Sequence, residues 1–142
     1  MTRSTDSHRG ALARVAFGIA TTAVGIYFMA VRPALLPEDF RFAHLERADV
    51  PASLLPWLRI VFRTWGGFVV GLGVLLLGQG VAVLTNRSGW SRCGTAIAVV
   101  FAFGSFLVSN IQLGSDFLWF IGLLFAFALA VAGIVLRSSA DG

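Results

Sequence analysis

A chain of 142 residues with 13% charged and 57% hydrophobic side chains has about half the charge of an ordinary soluble domain, roughly 25%; that excludes a soluble globular protein and leaves no length for a separate soluble domain. The formal net charge is +4, and all 11 basic residues are Arg, a usage that fits a GC-rich bacterial genome. One cysteine, Cys93, excludes an intramolecular disulfide and membrane thiol chemistry that needs a cysteine pair, and histidines only at positions 8 and 44, outside every apolar stretch, exclude a haem held between transmembrane histidines.

Four apolar stretches follow one another: Val15–Val31, Gly66–Leu84, Gly94–Val108 (extending to Ile111) and Phe117–Leu136. A hydrocarbon layer of about 30 Å is crossed by roughly 20 residues rising about 1.5 Å each, and in lipid the backbone must satisfy its own hydrogen bonds. The expected fold is therefore an all-α membrane protein: four transmembrane helices in an up-down bundle with a longer structured first loop. One domain covers 1–142, with spans at about 12–31, 60–85, 93–111 and 116–136 and an outer loop at 32–59.

The first stretch begins with Arg3, Arg9 and Arg14, as a secretory signal does. Its apolar run is longer than a signal core and ends in Arg32-Pro33 without a small-x-small cleavage site, so it is expected to persist as a helix.

The first loop interleaves Phe40, Phe42, Leu45, Leu54, Leu55 and Trp57 with charges, too apolar for a solvated linker. It predicts a short helix over Glu38–Ala48 with Phe42 and Leu45 on one face. A second helical segment starts at Asp49 or Ser53, with Pro51 or Pro56 in its first turn, where a missing N–H costs little. Such a segment lies in the outer headgroup layer or folds over the bundle mouth. His44-x-Glu46 with Glu38, Asp39 and Asp49 has the donor types of a metal site but no second histidine, so a solvated loop and no metal is the expectation.

Span two opens with Arg59 and Arg63, one turn apart on a shared face. Three roles suit them: snorkelling to headgroups, pairing with Glu38, Asp39 or Asp116 to hold the loop over the bundle, or recognition of an anionic ligand. Leu36-Pro37-Glu38-Asp39, then Phe42, Pro56, Leu58, Gly66-Gly67 and Gly73, resembles the small four-span bacterial membrane proteins in which a Leu-Pro-x-Asp loop precedes a Gly-Gly second helix. The resemblance covers about Leu36–Gly73. Where that arrangement places a His-Asp-Arg-like cluster, this chain has Phe62-Arg63-Thr64-Trp65, so the resemblance implies topology and no activity.

Asn86, Ser88 and Gly89 make the second loop a tight turn, so spans two and three form an antiparallel hairpin. The third loop, Asn110–Asp116, has no Arg, and Ser115 or Asp116 can cap span four. Arg3, Arg9, Arg14, Arg87, Arg92 and Arg137 fall on one side, against Arg32, Arg41, Arg47, Arg59 and Arg63 on the other. With the weight on short loops and tails, both termini are cytoplasmic in a bacterial inner membrane. Trp57, Trp65, Trp90 and Trp119 mark span ends at headgroup level.

Small residues at four-residue spacing predict close helix contact: Gly18 and Thr22, Thr21 and Gly25, Gly67 and Gly71, Gly94 and Ala98, Gly122 and Ala126. They serve packing within the bundle, or a face that docks on another membrane protein or a second copy. No carboxylate lies at mid-membrane depth, as ion-coupled transport needs, and no serine sits in an elbow sequence. The expected partner is the lipid bilayer, with a membrane-protein partner or a homo-oligomer as the further alternatives, and no nucleic acid or cofactor. The function expected is a non-enzymatic accessory subunit or scaffold. The alternative is a binder or carrier of a small hydrophobic or anionic ligand at the outer end, using Arg59, Arg63, Glu38, Asp39 and Asp116.

Overall fold

The computed structural model describes residues Thr2–Arg137, with side chains from His8 onward except those of Glu38 and Arg47. Helix α1 (Thr2–Ile26) continues through a π turn, Tyr27–Val31. A short helix α2 (Pro37–Ala43) and a 3-10 turn, Arg47–Asp49, occupy the first loop. Three long helices follow: α3 (Leu54–Thr85), α4 (Ser88–Leu113) and α5 (Leu118–Arg137). Four segments are long and apolar enough to cross a membrane: His8–Val31 and the whole of α3, α4 and α5. The all-α four-span fold legible in the sequence is the fold found.

Helix α3 runs well beyond its apolar stretch. Its 32 residues reach about 48 Å at 1.5 Å each, against a hydrocarbon layer of about 30 Å. The apolar stretch begins only at Gly66, so Leu54–Arg63 is length beyond what a span needs, begun by a first turn that accommodates Pro56. Asn86, left-handed at φ 52°, ends α3 two residues before α4 starts.

Helix α1 packs along α3, α3 along α4 and α4 along α5. Helices α1 and α5 share no extended contact, so the bundle is not closed on that side. Among the described residues the core is small: the buried apolar side chains are Ala11, Ala34, Val70, Ala96, Ala98, Ala102, Ile121, Ala128 and Ala132. Phe17, Phe127 and Ile134 face outward. Lipid tails are as apolar as leucine, so burying a large side chain gains little, and association relies on close backbone approach.

That approach is organised on α3, whose glycines divide between two faces. Gly66, Gly73 and Gly80, seven apart, meet Gly25, Gly18 and Ala11 of α1, also seven apart and running the other way. A methyl on Gly18 would stand 2.9 Å from the Gly73 carbonyl oxygen, and one on Gly25 would stand 2.6 Å from the Val70 nitrogen. A seven-residue repeat keeps one stripe facing a supercoiled partner, here with backbone in place of knobs. Gly67, Gly71 and Gly78 face α4: Gly67 lies against Ser105, Gly71 against Ala98 and Ala102, and Gly78 against Gly94.

Gly67, Gly71, Gly94 and Ala98 thus lie in a helix interface. Gly122 and Ala126 do not. A methyl on Gly122 would meet nothing within 4 Å and Ala126 is exposed, because α5 turns Ile121, Ala128 and Ala132 toward α4 and sets Phe125 against Gly104. The helical phase of α5 is fixed by those residues, which leaves the expected packing pair on the lipid side.

Candidate ligand cleft at the loop end

One more heptad step along the α1–α3 seam brings large charged residues in place of small ones: Arg32 follows Gly25, and Arg59 precedes Gly66. The seam ends there. A cleft of about 580 Å³ opens at that point, lined by Met29–Pro33, Arg59 and Arg63.

Arg32 is held from several sides. Its backbone N–H donates to the Tyr27 carbonyl at 2.8 Å, closing the π turn. Its side chain is only 8% exposed, and the guanidinium meets Asp39 Oδ2 at 3.1 Å. It also donates to the Pro33 carbonyl at 3.2 Å, and stands 3.5 Å from the Phe62 ring centroid and 5.7 Å from that of Phe28. A desolvated guanidinium over an aromatic face with a carboxylate at its edge satisfies both charge and donors. Asp39 is shared: the Leu36 N–H donates to the same oxygen at 2.8 Å. The Leu-Pro-x-Asp sequence has a local reason, since Pro37 starts α2 where no N–H is needed and Asp39 reaches back to its free N-terminal donor.

His44, left-handed at φ 52°, stops α2 at Ala43, so the single helix expected over Glu38–Ala48 is two short pieces. Phe42 is 89% exposed and shares no helix face with Leu45, which lies beyond the end of α2. Phe40 and Val50 turn inward instead. With Pro33, Ala34, Leu35, Leu55 and Arg59 they line a second cleft of about 330 Å³ under the loop.

Arg59 and Arg63 have no ion pair with any described residue, and both are exposed. The pairing of Arg63 with Asp39 or Asp116 is therefore not found: Asp39 is engaged by Arg32, and Asp116 is exposed in the third loop and lines none of these clefts. The Glu38 side chain lies outside the described ones. Arg63 and Met29 also border a groove of about 680 Å³ that takes lining from every spanning helix. Its walls are Val100, Phe101, Gly104, Ser105, Leu107, Val108, Ser109 and Gln112 of α4, with Phe125 of α5.

The cleft brings together Arg59 and Arg63, which the sequence singles out by their shared face, and Arg32, which it marks only as a loop charge. The signal was the heptad position shared with Gly25, seven residues before Asp39. At the opposite end of the helices Arg14, Gln79, Asn86, Arg87, Ser88 and Ser91 border a more open polar hollow.

No family model, curated protein or solved structure matches this chain. The geometry alone bears on function. It offers two guanidiniums with no carboxylate partner among the described residues in one cleft, and one of them, Arg63, also borders a mainly apolar groove: an arrangement that can attract an anion and accommodate an apolar tail.

Proposed function

We propose that this small integral membrane protein is a non-enzymatic binder or carrier of a small ligand, anionic with a hydrophobic part, at the loop end of its helices. The observation that carries the reading is that Arg59 and Arg63 line a cleft with no acidic partner among the described residues, while Arg32 beside them has one. Unpaired guanidiniums facing a concavity are poised for an incoming anion, whereas an arginine that only anchors needs no cavity. On this reading, with the weight on the Arg-bearing tails and the Arg-free third loop, both termini lie in the cytoplasm of a bacterial cell and the cleft faces outward across the inner membrane.

Purification in mild detergent, with mass spectrometry of lipids and proteins retained, tests the proposal. The wild type should carry an anionic small molecule that Arg59→Ala/Arg63→Ala loses, and equal retention by both proteins would overturn it. A second reading, an accessory subunit or scaffold, draws support from the uncovered face of α5 at Gly122, Ala126 and Ala130. Under that reading the same purification recovers a stoichiometric membrane protein, and Gly122→Leu releases it.

A further inference from the structure

We infer that the cleft takes a membrane lipid with an anionic headgroup, the head at Arg59 and Arg63 and one acyl chain along α4. The inference rests on the binding reading above and names the class of molecule bound.

The head cleft and the groove are neighbours that share Arg63 and Met29 as lining. A molecule that reaches the guanidinium of Arg63 thus has an apolar channel beside it. The groove's α4 wall runs from Val100 to Gln112. Twelve helical steps of about 1.5 Å cover roughly 18 Å, close to the ~15 Å that half a hydrocarbon layer measures, so the groove is as deep as one leaflet.

The wall also has the chemistry of a chain site. Its hydroxyl protons are spent on their own helix: Ser105 donates to the Phe101 carbonyl at 2.8 Å, and Ser109 to the Ser105 carbonyl at 2.9 Å. What remains along the α4 and α5 walls is Val100, Phe101, Gly104, Leu107, Val108 and Phe125, with one polar side chain, Gln112, at the C-terminal end of the α4 wall. Because α1 and α5 do not pack together, a lipid has lateral access between them, without passing through water.

The head is specified by charge. Of the three arginines lining the cleft, Arg32 is neutralised by Asp39, which leaves two positive charges with no acidic partner among the described residues for a guest. Planar guanidinium forks suit the paired oxygens of a phosphate or carboxylate. A free anion in water would use the head cleft and leave the groove unfilled; a zwitterionic lipid would fill the groove and bring its own cation against the arginines. An anionic lipid satisfies both halves.

The test is native mass spectrometry of delipidated wild type in mild detergent, offered dioleoylphosphatidylglycerol and dioleoylphosphatidylcholine at equal concentration. Oleate and inorganic phosphate are offered in separate arms. The phosphatidylglycerol adduct should exceed the phosphatidylcholine adduct about tenfold or more, the scale set by two arginines at a membrane surface. Arg59→Ala/Arg63→Ala, checked for wild-type melting, should bring that ratio near unity. Gly104→Leu, whose first side-chain carbon would stand 3.4 Å from the Phe125 ring, should block the groove and weaken both lipid adducts. Retention of oleate but not inorganic phosphate also supports the inference and assigns a carboxylate head. Equal binding of the two phospholipids by wild type overturns it, and that comparison needs no variant. Displacement of phosphatidylglycerol by an equal concentration of inorganic phosphate overturns the lipid while leaving an anion binder, whereas no retention of any probe removes both readings.

Discussion

The guanidinium carbon of Arg32 stands 3.5 Å from the centre of the Phe62 ring, and this contact joins span one to α3 where their glycine seam ends. Asp39 completes the arrangement from the loop side, so one buried cation gathers three segments: the π turn, α2 and α3.

Removing the anion should leave that cation uncompensated. Asp39→Ala is expected to destabilise by about 2 kcal/mol in detergent, below the cost of a fully buried pair because Asp39 remains 35% exposed. Arg32→Lys keeps the charge and loses the stacked fork, so it should also destabilise, by about 1 kcal/mol. A double-mutant cycle on Arg32→Ala and Asp39→Ala measures the coupling. Strict additivity of the two losses would show that the pair contributes nothing.

Arg59 and Arg63 should behave in the opposite way. With no ionic partner among the described residues, Arg63→Lys, Arg63→Ala and Arg59→Ala are each expected to stay within about 0.5 kcal/mol of wild type. Thermal melting of the three beside Arg32→Ala separates a ligand-facing arginine from a structural one. A large loss on Arg63→Ala would show that Arg63 has a structural partner after all.

The glycines give a paired prediction of opposite sign. A methyl on Gly73 would strike Thr22 of α1, so Gly73→Ala should cost about 1–3 kcal/mol. Gly122 has open space, and Gly122→Ala should be neutral or stabilising by up to about 1 kcal/mol through helix propensity alone. Equal effects at the two sites would contradict the division of α3 and α5 into packed and lipid-facing faces.

The spans were legible because length and hydropathy act locally: roughly 20 apolar residues can cross lipid only as a helix. The two glycine faces of α3 were not, because four-residue spacing picks out Gly67 and Gly71 while Gly66, Gly73 and Gly80 show their purpose only beside Ala11, Gly18 and Gly25. At the site, Arg59 and Arg63 stood out by their shared face. Arg32 did not, since its partners Phe62 and Asp39 come from different elements and only the fold brings them together. The end of α2 was misplaced for a smaller reason: nothing in the composition of Glu38–Ala48 marks His44 as the left-handed residue.

Reporter fusions at Gly142 and at Asp116 should report opposite sides of the membrane, the first cytoplasmic. A periplasmic signal from Gly142 would invert the orientation and turn the arginine cleft toward the inner leaflet.

The two furrows along α3 are filled by its two neighbouring spans in the chain. A helix whose opposing faces are bare backbone leaves grooves that flexible acyl chains fill poorly, so each furrow is a demand for a particular neighbour. Helix α1 precedes α3 in the chain, and its row of Ala11, Gly18 and Gly25 fills the first furrow. The second is filled by α4, which follows through a two-residue turn. Helix α5 comes last in the chain and makes its extended contact with α4, so neither furrow of α3 depends on it.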